Sequence, residues 1–424
     1  MESNRCRVIS KFEESLTKLK VLLYFDDSAE SDFGYRDMEL LSPAFDKCVV
    51  FPDVTVAAKK YPPAFTITSN YIQWKQCNPM KIMWENALYF LSILFLSFNE
   101  IRFSPKRLSE ALKKLSSNYF KAQQVVQYIY RHNLQKEDIT IYSFWLYDSV
   151  YLAFIKKLLP SVLIINRAHG GDIFENQPTL KNRVLLRKFQ FQNIDKIITV
   201  SKDGADYLKK KYPQYSEKIS TIYLGTASHN DINPFPVKGF TIVSCSHVRN
   251  VKRVDKIAEV ILNLPFQVNW VHIGSENIYD RNTDQSIDKY LKIKEQIAHS
   301  DNVKFVAMGT VAHEQIMDYY KINPVHLFIS LSETEGIPVS IMECISFGVP
   351  VMCTDVGGCR EIVTEQTGIL LPLETEISEI CEKISAFKQH RLNTADARNG
   401  IKAYWEKHFN QVSNYQQLIT SIKK

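Results

Sequence analysis

A chain of 424 residues is too long for one ordinary core and long enough for two domains of ~100–200 residues each. With 45% hydrophobic and 23% charged residues it has the make-up of a globular protein, which excludes a disordered or fibrous one. Its net charge of +6 comes from basic residues spread along the chain, too mild for an extended nucleic-acid surface but suited to an anionic small ligand or a membrane face.

The chain opens on MESNRCRVISKFEES, which lacks the apolar core of a signal peptide. Eight cysteines form no C-x-x-C pair, and several sit in apolar runs where a reduced thiol packs as a small hydrophobe. The expected setting is a reducing, cytoplasmic one.

Short β-rich runs then alternate with helical patterns throughout, so the expected fold class is α/β with parallel sheets and crossover helices. Strands are predicted at Val21–Phe25, Cys48–Phe51, Phe65–Thr68, Ile139–Phe144, Val162–Asn166, Ile197–Val200 and Thr221–Tyr223. A second set follows at Phe240–Cys245, Val268–Ile273, Val303–Val306, His326–Ile329, Val349–Cys353 and Gly368–Leu371. Gly, Asn, Asp and two prolines in GTASHNDINPFPVKG break both periodicities between the sets. The division predicted is a first domain over 1–228, a linker over 229–239, a second domain over 240–404 and a terminal segment over 405–424.

Within the first set, Ala87 to Phe98 (ALYFLSILFLSF) is apolar but shorter than the ~20 residues of a spanning helix. Up to Gln123 it continues with Lys106, Arg107, Lys113, Lys114 and Lys121 among Leu108, Ala111, Leu112, Leu115 and Phe120. Such a segment either lies on an anionic membrane or forms a core helix pair with a charged outer face. Further on, INRAHGGDIFE puts His169, two glycines and an acid just past a strand, a loop able to bring backbone and imidazole near a ligand.

Ligands of open parallel sheets bind beyond the carboxyl ends of the strands. In VSCSHVRNVKRVDKI, His247, Arg249, Lys252 and Arg253 crowd such a loop and could face a diphosphate. In SETEGIPVSIME, Glu335 lies in a loop, Pro338 suits the first helical position, and Glu343 sits well inside the helix. The carboxylates are ~8 Å or more apart along the axis, so they are not a touching acid–base pair. Between them Gly336 and a helix N-terminus offer amides to a phosphate, the layout expected for a nucleotide-sugar.

The run Glu335 to Val351 (EGIPVSIMECISFGVPV), followed by Asp355 to Val363 (DVGGCREIV), resembles the donor-site signature of retaining glycosyltransferases of family 4. That resemblance implies two Rossmann-like domains facing across a cleft, the GT-B arrangement, with a UDP- or GDP-linked donor sugar on the second. It implies that Glu343 holds the ribose, that Glu335 faces the transferred sugar beside Gly336, Ile337 and Pro338, and that Lys252 meets the diphosphate. The family's arginine falls at His247, and Arg253 stands where glycine is usual, which leaves Arg249 or Arg253 as the second cation.

His169 matches a family histidine beside the reacting centre. Weaker likenesses at Tyr35 to Pro52 and Tyr142 to Ala153 point to a polysaccharide or capsule branch, while Asp26–Gly34, where acceptor contacts would fall, lacks the Gly-rich loop that many relatives have after the first strand. The last segment resembles a helix that packs back on the first domain. The reading is a hexose-transferring retaining enzyme acting on a glycan or lipid-linked acceptor, peripheral at most to a membrane. The alternative is a non-catalytic nucleotide-sugar-binding subunit. No metal, cofactor or nucleic acid is implied: Asp26, Asp27, Asp280, Asp284 and Asp288 lack compact ligand spacing, and no G-x-G-x-x-G follows an early strand.

Overall fold

The computed structural model of the protein describes residues 18–26, 32–52, 61–68, 78–101, 104–147, 149–175, 184–236, 238–276 and 285–423. Cys6, Cys77, Asp27, Asp280 and Asp284 lie outside these residues, as does most of the expected acceptor loop after the first strand. The chain divides into two compact units: the first takes the described residues up to Thr199 with 207–220 and the end from Ile419, the second 200–206 and 221–418.

The first unit holds β1 (Lys20–Asp26), β2 (Lys47–Pro52), β3 (Phe65–Ile67), β4 (Asp138–Ser143), β5 (Leu163–Ala168), β6 (Lys196–Thr199) and β7 (Ile219–Thr221). They lie in the order β3-β2-β1-β4-β5-β6-β7, and the neighbours from β3 to β6 pair in parallel. Val21 to Phe25 are all fully buried, so β1 reads as a continuous apolar run, as a strand covered on both faces must. Tyr24 and Tyr142, stacked on adjacent strands, donate their hydroxyls to the buried Asp37 carboxylate.

For the helix Pro105–Arg131 the structure takes the second of the two readings left open, a core helix with a charged outer face. Ala111, Leu115, Ala122, Val125 and Ile129 form a buried stripe, and Lys121 is itself buried with its ammonium 3.9 Å from the Tyr151 ring centre. A long helix with one apolar face against a sheet reads much like an interfacial one. The apolar helix Ala87–Leu96 before it behaves otherwise, with Leu88, Leu91 and Phe95 exposed.

In the second unit β8 (Thr241–Cys245), β9 (Val268–Ile273), β10 (Val303–Gly309), β11 (Leu327–Ser330), β12 (Val351–Thr354) and β13 (Gly368–Leu371) form a fully parallel sheet in the order β10-β9-β8-β11-β12-β13. Chain order reverses between β8 and β11, which makes that junction the topological switch point. All thirteen expected strands are present, with ends moved by at most three residues.

The stretch 229–239, expected as a linker, is part of the second unit. Asn233 is buried there: its amide donates to the Asn323 carbonyl at 2.8 Å, and its oxygen accepts from Val325 N and Arg398 Nη1 at 3.0 and 2.9 Å. Near the C-terminus the Trp405 indole donates to Thr226 Oγ1 at 2.8 Å, while residues from Ile419 onward group with the first unit, where Lys196 donates to the Ser421 carbonyl.

Candidate functional site

The loops after β8 and β11 lie side by side because these strands are hydrogen-bonded neighbours at the switch point. Their backbones are tied together: Glu333 N donates to the Val251 carbonyl at 2.8 Å. A single 3₁₀ turn, Asn250–Lys252, then carries Lys252 toward the other loop, and its ammonium lies 2.6 Å from Glu335 Oε1. The lysine side chain is 30% exposed and the glutamate 10%. A cation and an anion thus meet at the mouth of the crevice.

The loop after β12 forms the third wall. Gly357 has a φ of +49°, and a Cβ on it would lie 1.8 Å from the Glu335 carbonyl oxygen, so only glycine fits. Next to it Gly358 N donates to the Gly336 carbonyl at 3.0 Å. The close approach expected of Gly336 therefore depends on the glycine pair facing it.

Pro338, expected as the first helical residue, is the N-cap of the helix Val339–Ser346 instead, with extended backbone angles of −77° and 110° and a carbonyl that accepts from Met342 N. No side chain caps this helix, which leaves its first amides to a ligand or water. Ile337 and Pro338 are buried against the core and hold the turn rigid.

Five residues into the helix, Glu343 is 7% exposed. Its Oε1 pairs with His313 Nε2 at 2.7 Å. His313 opens the helix His313–Ile322 after the edge strand β10 and escaped the sequence reading, because no local spacing links it to a glutamate thirty residues later. Cys245, at the end of β8, senses both sides of the crevice: burial first, then the Glu343 carboxylate, push its thiol up to about 12 against the pull of Lys252.

The four basic candidates differ in their engagement. His247 and Arg249 are exposed, and partial burial with the charges of Arg249 and Lys252 holds the His247 ring below the usual histidine range. Arg253 turns away from the loop tip. Its φ of +47° is the left-handed conformation that glycine adopts without strain, and its guanidinium donates to the carbonyls of Leu331 at 2.6 Å and Leu373 at 3.2 Å. Among the described residues no group of three His, Cys, Asp or Glu side chains could hold a metal ion.

His169 belongs to the first unit, just past β5, with its ring centre 4.4 Å from that of Phe144 and 4.6 Å from that of Trp145. Neither ring nitrogen has a hydrogen-bond partner, and burial, aided by the Arg167 charge, lowers its pKa to about 3. The imidazole is therefore neutral. Asp172 fixes it in place: its carboxylate accepts from His169 N and Leu146 N, both at 2.6 Å, and so joins the loops after β5 and β4. Burial raises that carboxyl to about 7 despite those donors and the nearby Arg187.

Residues 226–404 match the family described as glycosyl transferases group 1. Over 228 residues the chain is 28% identical to the lipopolysaccharide core biosynthesis mannosyltransferase LpsB of Rhizobium meliloti, half of this chain and 61% of that protein. It is 23% identical over 230 residues to the O-antigen biosynthesis glycosyltransferase WbnH of Escherichia coli, 54% of this chain and 62% of that one. The chain thus spans about three fifths of the length of these relatives.

Among solved structures, the whole chain resembles Anabaena Alr3699/HepE in complex with UDP, with a TM-score of 0.64, 17% identity and coverage of 96% and 100%. It also resembles the sucrose-phosphate synthase of Thermosynechococcus elongatus, with a TM-score of 0.65, 14% identity and coverage of 95% and 98%. At these identities the likeness shows the fold, two Rossmann-like parallel-sheet units of the GT-B class. The switch-point crevice built from Lys252, Glu335 and Glu343 falls inside the segment, residues 226–404, that matches the glycosyl transferases group 1 family.

Proposed function

We propose that the protein is a retaining glycosyltransferase that moves a hexose-type sugar from a UDP- or GDP-linked donor to a hydroxyl of a glycan or lipid-linked oligosaccharide, in surface polysaccharide synthesis. The observation that carries this reading is the Lys252–Glu335 pair, closed at 2.6 Å over an uncapped helix N-terminus at the switch point. The names of the relatives, and the UDP named with the Anabaena protein, support donor and pathway class.

In this reading the donor diphosphate enters between Lys252 and the amides of Gly336 and Ile337, drawing the ammonium away from Glu335. Lys252 then neutralises charge on the departing phosphate, and Glu335, released, faces the sugar and balances positive charge at its anomeric carbon. Glu343, oriented by His313, accepts from the ribose hydroxyls. Exposed on the same loop, Arg249 is the better second cation, since Arg253 is occupied by carbonyls. The acceptor oxygen bonds to the anomeric carbon on the face the phosphate leaves, and the acceptor proton passes to a phosphate oxygen. Neutral His169 contacts the sugar as a hydrogen-bonding partner, not as a nucleophile.

Incubation with UDP- and GDP-sugars and a hydroxyl acceptor tests this. The expected product is a glycosidic bond with the donor's anomeric configuration, read by NMR. Donor binding with no product under any acceptor supports the non-catalytic subunit instead.

A further inference from the structure

The segment Pro79–Phe98 leaves unexplained apolar surface. It forms two short helices, Pro79–Glu85 and Ala87–Leu96, the second with no charged residue at all. Their inner face is anchored: Ile82, Phe90 and Ile93 are buried, and the Phe90 ring packs edge-on against Tyr119. The outer face of a surface helix is ordinarily polar. Here it is a stripe of Met80, Trp84, Leu88, Leu91 and Phe95 at near-helical spacing, with Trp84 86%, Leu88 85% and Phe95 84% exposed.

Beside the stripe opens a cavity of about 650 Å³, floored by Tyr89, Ile93 and Phe189 and edged by Lys157 and Lys188. No carboxylate lines it. Glu100, next in sequence to the lining residue Asn99, is engaged by backbone, its two oxygens accepting from Arg187 N and Lys188 N at 2.9 and 3.0 Å. Among the described residues neither Lys157 nor Lys188 has an ion-pair partner. Apolar surface with an unpaired cationic edge matches acyl chains below and phosphates above.

We infer that this face docks on an anionic lipid bilayer, with the Met80–Phe95 stripe lying in the plane of the interface and Lys157 and Lys188 at the level of the lipid phosphates. Neither helix is long or apolar enough to cross a membrane. Trp84 takes the boundary position that tryptophan favours. A second copy on this face fits less well, since a two-fold contact would set the lysine edges against each other with no acid between them. The inference does not rest on the donor site, and a lipid-linked acceptor would gain from it.

The test is co-sedimentation of the full chain with phosphatidylcholine vesicles, with and without phosphatidylglycerol. Wild type is expected to bind the anionic vesicles at least ten-fold more tightly. A Trp84→Asn/Leu88→Asn/Phe95→Asn variant is expected to lose that binding at least ten-fold while keeping its melting temperature and its affinity for UDP. Lys157→Glu/Lys188→Glu is expected to remove the preference for anionic lipid. Wild type staying in the supernatant with both vesicles overturns the inference, as does unchanged binding of the triple variant. So does light scattering that finds a dimer in wild type and a monomer in the triple variant, which assigns the stripe to a second copy. Absence of both UDP and GDP binding in wild type with vesicle binding intact removes the donor reading alone.

Discussion

Lys252 and Glu335, 83 residues apart, meet at 2.6 Å where the strand order of the second sheet reverses. In the proposed reading each side chain is the counter-charge of the other until a donor diphosphate enters and releases each to its own task. Replacing either by alanine is expected to lower turnover by ~100-fold or more, the range for loss of one transition-state contact. Near-wild-type turnover in both variants contradicts the assignment.

Glu343 acts on binding and not on bond cleavage in this account. Glu343→Ala is expected to weaken UDP or GDP affinity ten-fold or more in a calorimetric titration, with a smaller effect on turnover at saturating donor. His313→Ala is expected to weaken affinity in the same direction and by less, because it removes only the group that orients the carboxylate. An unchanged affinity in the His313 variant means that the pair is incidental to the ribose site.

Arg253 holds a left-handed backbone at a cost of ~1–2 kcal/mol, which glycine would remove. Yet its guanidinium ties the loop after β8 to the carbonyls of Leu331 and Leu373, bonds of ~1.5–3 kcal/mol each with a charged donor. Arg253→Gly is therefore expected to destabilise the protein by roughly 1–5 kcal/mol in urea denaturation, the lost bonds outweighing the relieved strain. A gain in stability would show that the strain dominates.

Three buried histidines set an acid limit. Burial is the first cause in each case and lowers His169 to about 3 and His272 and His326 to about 4, with Arg167 adding to the first and Arg398 and Lys388 to the last. In the unfolded chain these rings take a proton below about 6.5. The unfolded state then binds more protons than the native one, so stability falls as pH drops from about 6.5 toward 4. Asp172, raised to about 7, works against this, since the native state keeps a proton that the unfolded carboxyl gives up. Thermal scans across that window are expected to show a falling Tm, and His272→Gln a shallower slope. A flat profile in wild type contradicts the prediction.

Much of the fold was legible because strands buried on both faces leave unbroken apolar runs such as VLLYF and VMCT, bounded by turn residues. The roles proposed for Lys252, Glu335 and Glu343 came from the resemblance, whereas their places just past β8 and β11 were legible from the strand pattern. His313 was not, because its partner comes from another loop and only the sheet order brings them together. Arg253 gave no sign of a left-handed backbone, which sequence announces through glycine.

Helix Pro105–Arg131 stayed open between two readings because a core helix and an interfacial one share the same apolar and basic alternation, and only burial separates them. The exposed stripe in turn begins at Met80, upstream of the apolar run that drew attention to the segment. Its first members, Met80 and Trp84, stand beside Lys81 and Glu85 and lie outside the continuous apolar run.

The most direct test of the donor site is a crystal structure of the protein with UDP or GDP bound. The account predicts a diphosphate between Lys252 and the Gly336–Ile337 amides, with the ribose on Glu343 and the Lys252–Glu335 contact opened. A nucleotide bound elsewhere, or bound in this crevice with that contact still closed at 2.6 Å, contradicts it.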